Sequence, residues 1–382
     1  MSPAKPRRPH VMRAAITMFG TIVGAGIFGL PHAVAASGYL IGLFWMLALA
    51  GAVVTVHLLF GEVVLATQED HRLLGYVRMY LGRYAGAVEN VASILGLVGG
   101  CLAYLILAGL FTQQLLAPVL AVSPVWGSLA LALFGVFPAL FGTDFLDGVD
   151  AWMCWGLLVA FLLLIFKALT GFVPANLTGV HLSQGFLPYG VVLFSYGGLA
   201  AVSDVRDLAG GDPKRTRRAI VIGTLMAVAL TILFVTAVVG ALGSGTTAES
   251  VSGLNARFGG LVPLLAAAAG FLAVVTSYVI NVDYLKNQFR KDYRWPKWLS
   301  VALALGTPLV LFLLGIRNFG RLIGLLGSVL VGVEGVLVVL LYRVVRKKYP
   351  DKVLKIPAWP LWILMAVYAT GAVYELTVGL YR

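Results

Sequence analysis

The stretch Phe19-Gly-Thr-Ile-Val-Gly-Ala-Gly-Ile-Phe-Gly-Leu-Pro31 puts Gly20, Gly24, Gly26, Gly29 and a proline inside the first strongly apolar segment of the chain. A helix surrounded by hydrocarbon must satisfy its backbone amides and carbonyls internally, so a helix that breaks here exposes backbone in mid-membrane. That is stable only where the freed groups line a protein cavity or hold a ligand. The pattern excludes a simple anchor helix and points to a binding site made of backbone.

Composition makes the membrane the solvent. With 60% hydrophobic and 12% charged residues and a mean hydropathy of +0.94, 382 residues cannot form a soluble globule. Stretches long enough to cross a hydrocarbon core of roughly 30 Å read as 12–36, 39–66, 87–119, 124–142, 150–171, 184–208, 217–242, 259–285, 297–315, 320–343 and 358–380. The expectation is an all-α integral membrane protein with about eleven spans and no soluble domain.

The basic residues orient it. With the N-terminus in the cytoplasm, Lys5 to Arg13, Arg72 to Arg83, Arg206 to Arg218, Lys286 to Lys297 and Arg343 to Lys355 all fall inside. Of the 28 lysines and arginines, only Lys167, Arg257, Arg317, Arg321 and Arg382 fall outside, which is the expected bias for the cell (inner) membrane, with an outward C-terminus. The net charge of +12 follows from that bias and from anionic lipid, so no nucleic-acid partner is needed. Residues 1–11 read as a cytoplasmic tail without a cleavage signal. Cys101 and Cys154 fall within spans and read as packing residues.

Spans one to five (12–171) and six to ten (184–343) can be set side by side, with 358–380 outside the repeat. Each half opens with a glycine-interrupted helix, Gly20–Pro31 in one and Phe194-Ser-Tyr-Gly-Gly198 in the other. Five spans per half enter the membrane in opposite senses, so two breaks at matching positions meet near the midplane in antiparallel directions. Thr67–Ala85 reads as an amphipathic helix on the cytoplasmic surface, and Gly243–Gly260 as a flexible outer loop or lid.

Gly-Thr-Ile-Val-Gly-Ala-Gly-Ile-Phe-Gly-Leu-Pro resembles the first helix of the amino acid–polyamine–organocation superfamily, and Phe-Ser-Tyr-Gly-Gly is similar to its amino acid/auxin and aromatic amino acid permease branches. The resemblance implies a LeuT-type fold, five plus five inverted with discontinuous helices 1 and 6, that transports amino acids by alternating access. Physical chemistry agrees. A helix restarting after Gly24-Ala25-Gly26 offers unpaired amides and a positive dipole end to an α-carboxylate, which assigns Gly24, Ala25, Gly26 and Ile27 to it. Carbonyls freed at Phe194, Ser195 and Tyr196 suit the ammonium, and Gly197 and Gly198 leave room for a bulky neutral or aromatic side chain. Tyr104 and Asn281 are further candidate contacts.

On the eighth span, Ala273, Thr276 and Ser277 share one helical face. By the same resemblance they meet carbonyls of Gly20 and Val23 in a single sodium site, while Ile27 stands where a second sodium requires an amide oxygen. The alternatives are a proton-coupled symporter or an exchanger. Among the intramembrane ionisable residues His57, Glu62, Asp204, Asp283, Glu334 and Glu375, proton coupling points to His57, Glu62 and Glu334. A channel or non-transporting membrane protein is the rival of another class. No metalloprotease, nucleophile-elbow or phosphate-binding motif is present, so an enzyme is not expected, and no cofactor beyond a sodium ion. The oligomeric state has no sequence signal.

Overall fold

A computed structural model describes residues 10–67, 69, 71–141 and 149–378. The tail up to residue 9, Arg382 and the side chain of Cys154 lie outside the described residues. Every regular element among the described residues is a helix. The first expected span is two helices, α1 (Val11–Ile22) and α2 (Gly26–Ser37), meeting at 59°. The second, α3 (Tyr39–Ala66), is unbroken, since its one internal polar stretch still carries apolar neighbours at every turn.

α4 (Leu73–Leu116) joins the expected surface helix to the third span. Gly82 separates them with φ 84°, a left-handed conformation that glycine adopts at little cost. The span therefore begins several residues earlier than hydropathy indicates, at residue 83. α5 (Pro124–Phe134) is capped by Ser123 and followed by α6 (Val136–Phe141), then α7 (Val149–Leu169). The sixth span is α8 (Leu187–Ser195), a short 3₁₀ turn and α9 (Val202–Leu208).

α10 (Pro213–Leu242) begins where Asp212 accepts from the Arg215 amide at 2.7 Å and Pro213 fills a position that needs no donor. The expected flexible outer loop instead carries a packed helix, α11 (Val251–Phe258). α12 (Leu261–Asp292), α13 (Lys297–Leu313), α14 (Phe319–Leu325), a π-helical turn at Leu326–Val331, α15 (Gly332–Lys348) and α16 (Ala358–Thr377) complete the chain.

The helices sort into two packed groups. In one, α1 lies on α10 and α9, α2 on α8, and α3 on α10 and α8. In the other, α4 lies on α12, α5 and α13, and α12 on α13. Glycines set the closest approaches: a Cβ on Gly327 of the π-helical turn would collide with the Gly190 carbonyl of α8. The two helix breaks lie in the first group.

Candidate functional site

At the first break the helical ladder stops. Val23 leaves the helical region at φ −77°, ψ 86°. Among the described residues, the amides of Ala25 and Gly26 have no backbone acceptor, whereas Ile27 and Phe28 already donate to Gly24 and Ala25. At the second break, Gly197 donates weakly to Phe194 at 3.3 Å and no backbone amide reaches the carbonyls of Ser195 and Tyr196. Free donors at one break and free acceptors at the other stand on neighbouring elements, because α2 packs on α8. Gly26 makes this possible: a Cβ there would stand 2.7 Å from Ser195 Cα and 2.7 Å from its Oγ. A Cβ on Gly24 would meet nothing within 4 Å, so the two glycines differ in role, one giving contact between the breaks and the other open space.

A cavity of about 1110 Å³ runs from the second break to the basic end of the molecule. Gly197, Gly198 and Thr21 line it together with His71, Arg72 and Arg78. The opposite end is closed. The Phe28 ring lies 5.2 Å from Phe111, 5.1 Å from Phe161 and 6.4 Å from Phe234. Over these rings the α11 segment is latched, with Ser250 Oγ donating to the Phe28 carbonyl at 2.7 Å. His32 Nδ1 stands 2.8 Å from the Thr246 carbonyl, and Gln114 Nε2 donates to Ser252 Oγ at 2.6 Å. The structure is thus open on its basic side and shut on the other.

Of the two breaks, Gly197 and Gly198 line this cavity, whereas Gly24 to Ile27 and Phe194 to Tyr196 do not, and matches to known proteins bear on what such a site holds. The description "tryptophan/tyrosine permease family" matches residues 7–377. The chain belongs to the tryptophan/tyrosine permease family. It is 28% identical to the tyrosine-specific transport system 2 of Haemophilus influenzae over 56% of this chain and 54% of that protein, so this match spans about half the length of that relative. It is 25% identical to a tryptophan-specific transport protein of Shigella flexneri over 95% and 94% of the two chains. The solved structure of MhsT in complex with L-phenylalanine superposes with a TM-score of 0.65 at 16% identity, covering 98% of both chains. That likeness bears out the LeuT-type all-α fold, and the relatives are transport proteins, not enzymes.

In this permease the residues anticipated for substrate fall into two layers. Gly24, Ala25, Gly26, Ile27, Phe194, Ser195 and Tyr196 form the two breaks, with Ala25, Gly26, Ile27, Ser195 and Tyr196 buried. Ser195 Oγ is satisfied by the Val191 carbonyl at 2.7 Å, whereas the buried Tyr196 hydroxyl has no partner among the described residues. The room anticipated at Gly198 is already filled, since a Cβ there would lie 2.7 Å from Ile22 and 3.1 Å from His57. Tyr104 stands close to Ser277 across the α4–α12 seam. Asn281, one turn on, lies against Gly100 of α4.

The anticipated sodium set is divided. Gly20 and Val23 belong to α1 and its break, which pack on α10 and α9; Ala273, Thr276 and Ser277 belong to α12, which packs on α4, α7, α11 and α13. Thr276 Oγ1 donates within its own helix to Leu272 at 3.3 Å and Ala273 at 3.1 Å. Of the proton candidates, buried His57 lines the cavity and contacts Thr224 at 3.2 Å. Glu62 is 1% exposed and held by Arg217 through two bonds, 2.6 and 2.9 Å, and by the Leu354 amide at 2.8 Å. Glu334 lines the cavity beside Glu89. Glu89 was not anticipated. It lies within the expected span 87–119, where nothing in the sequence marks a partner that would single it out.

Proposed function

We propose that this permease is a secondary transporter of a bulky neutral or aromatic L-amino acid, held between the two helix breaks and moved by alternating access. The observation that carries the reading is the facing of free Ala25 and Gly26 amides and free Ser195 and Tyr196 carbonyls, which matches the zwitterion of an α-amino acid. Gly24 and Ile27 flank the carboxylate, Phe194 the ammonium, and Tyr104 the side chain. The printed specificities of the relatives, tyrosine and tryptophan, support an aromatic substrate.

The group of α1–α3 and α8–α10 rocks against that of α4, α5, α12 and α13, about hinges at Gly24, Gly26, Gly197 and Gly198. The two inverted repeats are residues 12–171 and 184–343. The basic end faces the cytoplasm by charge bias, in the cell membrane with the N-terminus inside, so the structure is the inward-open state. We place the family within the amino acid–polyamine–organocation superfamily. In a sodium-coupled cycle, Gly20, Val23, Ala273, Thr276 and Ser277 close into one cage in another state.

The test is thermal stability of the purified protein in detergent with L-tryptophan, L-tyrosine, L-phenylalanine and small L-amino acids, each in sodium and in choline chloride. Stabilisation follows occupancy of the folded state and reaches about 2.7 kcal/mol at a hundredfold excess over Kd. A shift confined to aromatic or bulky L-enantiomers is expected; no shift with any amino acid refutes the reading. A requirement for sodium supports the cage.

A further inference from the structure

We infer that Glu89 of α4 and Glu334 of α15 form a carboxyl–carboxylate pair that takes up and releases the coupling proton through the basic-side cavity. This rests on the transport reading above and names its coupling site. The two helices pack on each other, both side chains line the cavity, and the two carboxylates repel each other electrostatically. Glu89 is 2% exposed, and its Oε2 has no hydrogen-bond donor among the described residues.

Other acids at this end have partners of their own. Glu62 is held by Arg217, Asp283 by Lys286 and Asn287, and Asp207 by Arg206. Asp204 of α9 interacts with Arg72, whose guanidinium also lies 3.9 Å over the Tyr284 ring of α12. The remaining groups around the pair are His57 of α3, His71 and Arg78, Gln288 of α12, which bonds to Asn90 at 2.9 Å, and Tyr368 of α16 near Glu334. Two carboxylates that repel each other in a buried site do not both ionise, and the pair keeps a proton instead. The cavity supplies the water to which that proton is lost.

The walls explain how the pair is coupled to movement. Glu89 and Glu334 share the cavity wall with His57, Gly198 and Asp204 of the rocking group, and α15, which carries Glu334, packs on both α3 and α4. Narrowing the cavity strips water from the pair and makes charge there costly. Protonation and conformation are therefore linked, because the closed state favours the protonated pair.

The test uses the full chain in proteoliposomes, with membrane potential clamped and a pH gradient, acid outside, driving radiolabelled L-tryptophan. Glu89→Gln and Glu334→Gln are each expected to lower pH-driven accumulation more than tenfold, with tryptophan counterflow falling less than threefold, and to abolish tryptophan-dependent proton movement seen by an internal pH dye. Half-buried Glu334 decides the matter if the Glu89 variant does not fold. Retained pH-driven accumulation in folded Glu334→Gln overturns the inference, as does equal loss of accumulation and counterflow. Wild-type counterflow that responds to sodium and not to pH overturns the inference alone. No wild-type counterflow of tryptophan, tyrosine or phenylalanine overturns the functional reading and this inference with it.

Discussion

Replacing Arg217 by Gln tests whether Glu62 is a structural tie. Both carboxylate oxygens of Glu62 are engaged, Oε1 by Arg217 Nε at 2.6 Å, and Oε2 by the second guanidinium nitrogen at 2.9 Å and the Leu354 amide at 2.8 Å. Three elements meet there: α3, α10 and the connection between α15 and α16. Removing one partner of a buried pair generally costs about 3–5 kcal/mol, since the other charge stays buried. Here the Leu354 amide remains and the Arg217 side chain is 26% exposed, so water reaches the site and we expect less than that range, about 2–3 kcal/mol.

Glu62→Gln leaves a cation that turns to solvent and is expected to cost about 1–2 kcal/mol. The double variant Glu62→Gln/Arg217→Gln restores a neutral pair, so its loss falls short of the sum by at least about 1 kcal/mol. Equilibrium unfolding in mixed micelles measures all three. Additivity within about 0.5 kcal/mol refutes the tie. A folded double variant that keeps counterflow and loses pH-driven accumulation returns Glu62 to the proton pathway.

Gly26→Ala forces a Cβ to 2.7 Å from Ser195 Cα, about 1 Å inside ordinary carbon contact. Overpacking of this kind costs about 1–3 kcal/mol of stability, so the variant should melt earlier than wild type and, with the two breaks pushed apart, bind amino acid more weakly in a stability-shift titration. Gly24→Ala, whose Cβ meets nothing within 4 Å, should melt within about 0.5 kcal/mol of wild type and report only the space it takes from ligand. Ser250→Ala removes the 2.7 Å latch to the Phe28 carbonyl, and the loss of about 0.5–1.5 kcal/mol should shift the population toward the outward-open state. Faster labelling of a cysteine at Phe111 from the outer side checks it, and an unchanged rate argues against the latch.

The sequence by itself determined which stretches form apolar helices and where the chain cannot stay helical. Spans are set by the cost of polar backbone in hydrocarbon, a local property of some twenty residues, and the second span, 39–66, coincides with α3. The breaks at Gly24 and Gly197 are local too, since glycine clusters and Pro31 weaken the ladder whatever surrounds them. Tertiary structure alone decided partners. Hydropathy treats Glu62, Glu89 and Glu334 alike, as acids in or near spans. Packing gives Glu62 an arginine 155 positions away and sets Glu89 beside Glu334 without a donor for its Oε2 among the described residues. It also fills the space at Gly198 with Ile22 and His57 and seats the outer segment as a latched lid. A charge or a void is defined by what stands opposite it, and residues hundreds of positions apart become opposite only when helices pack.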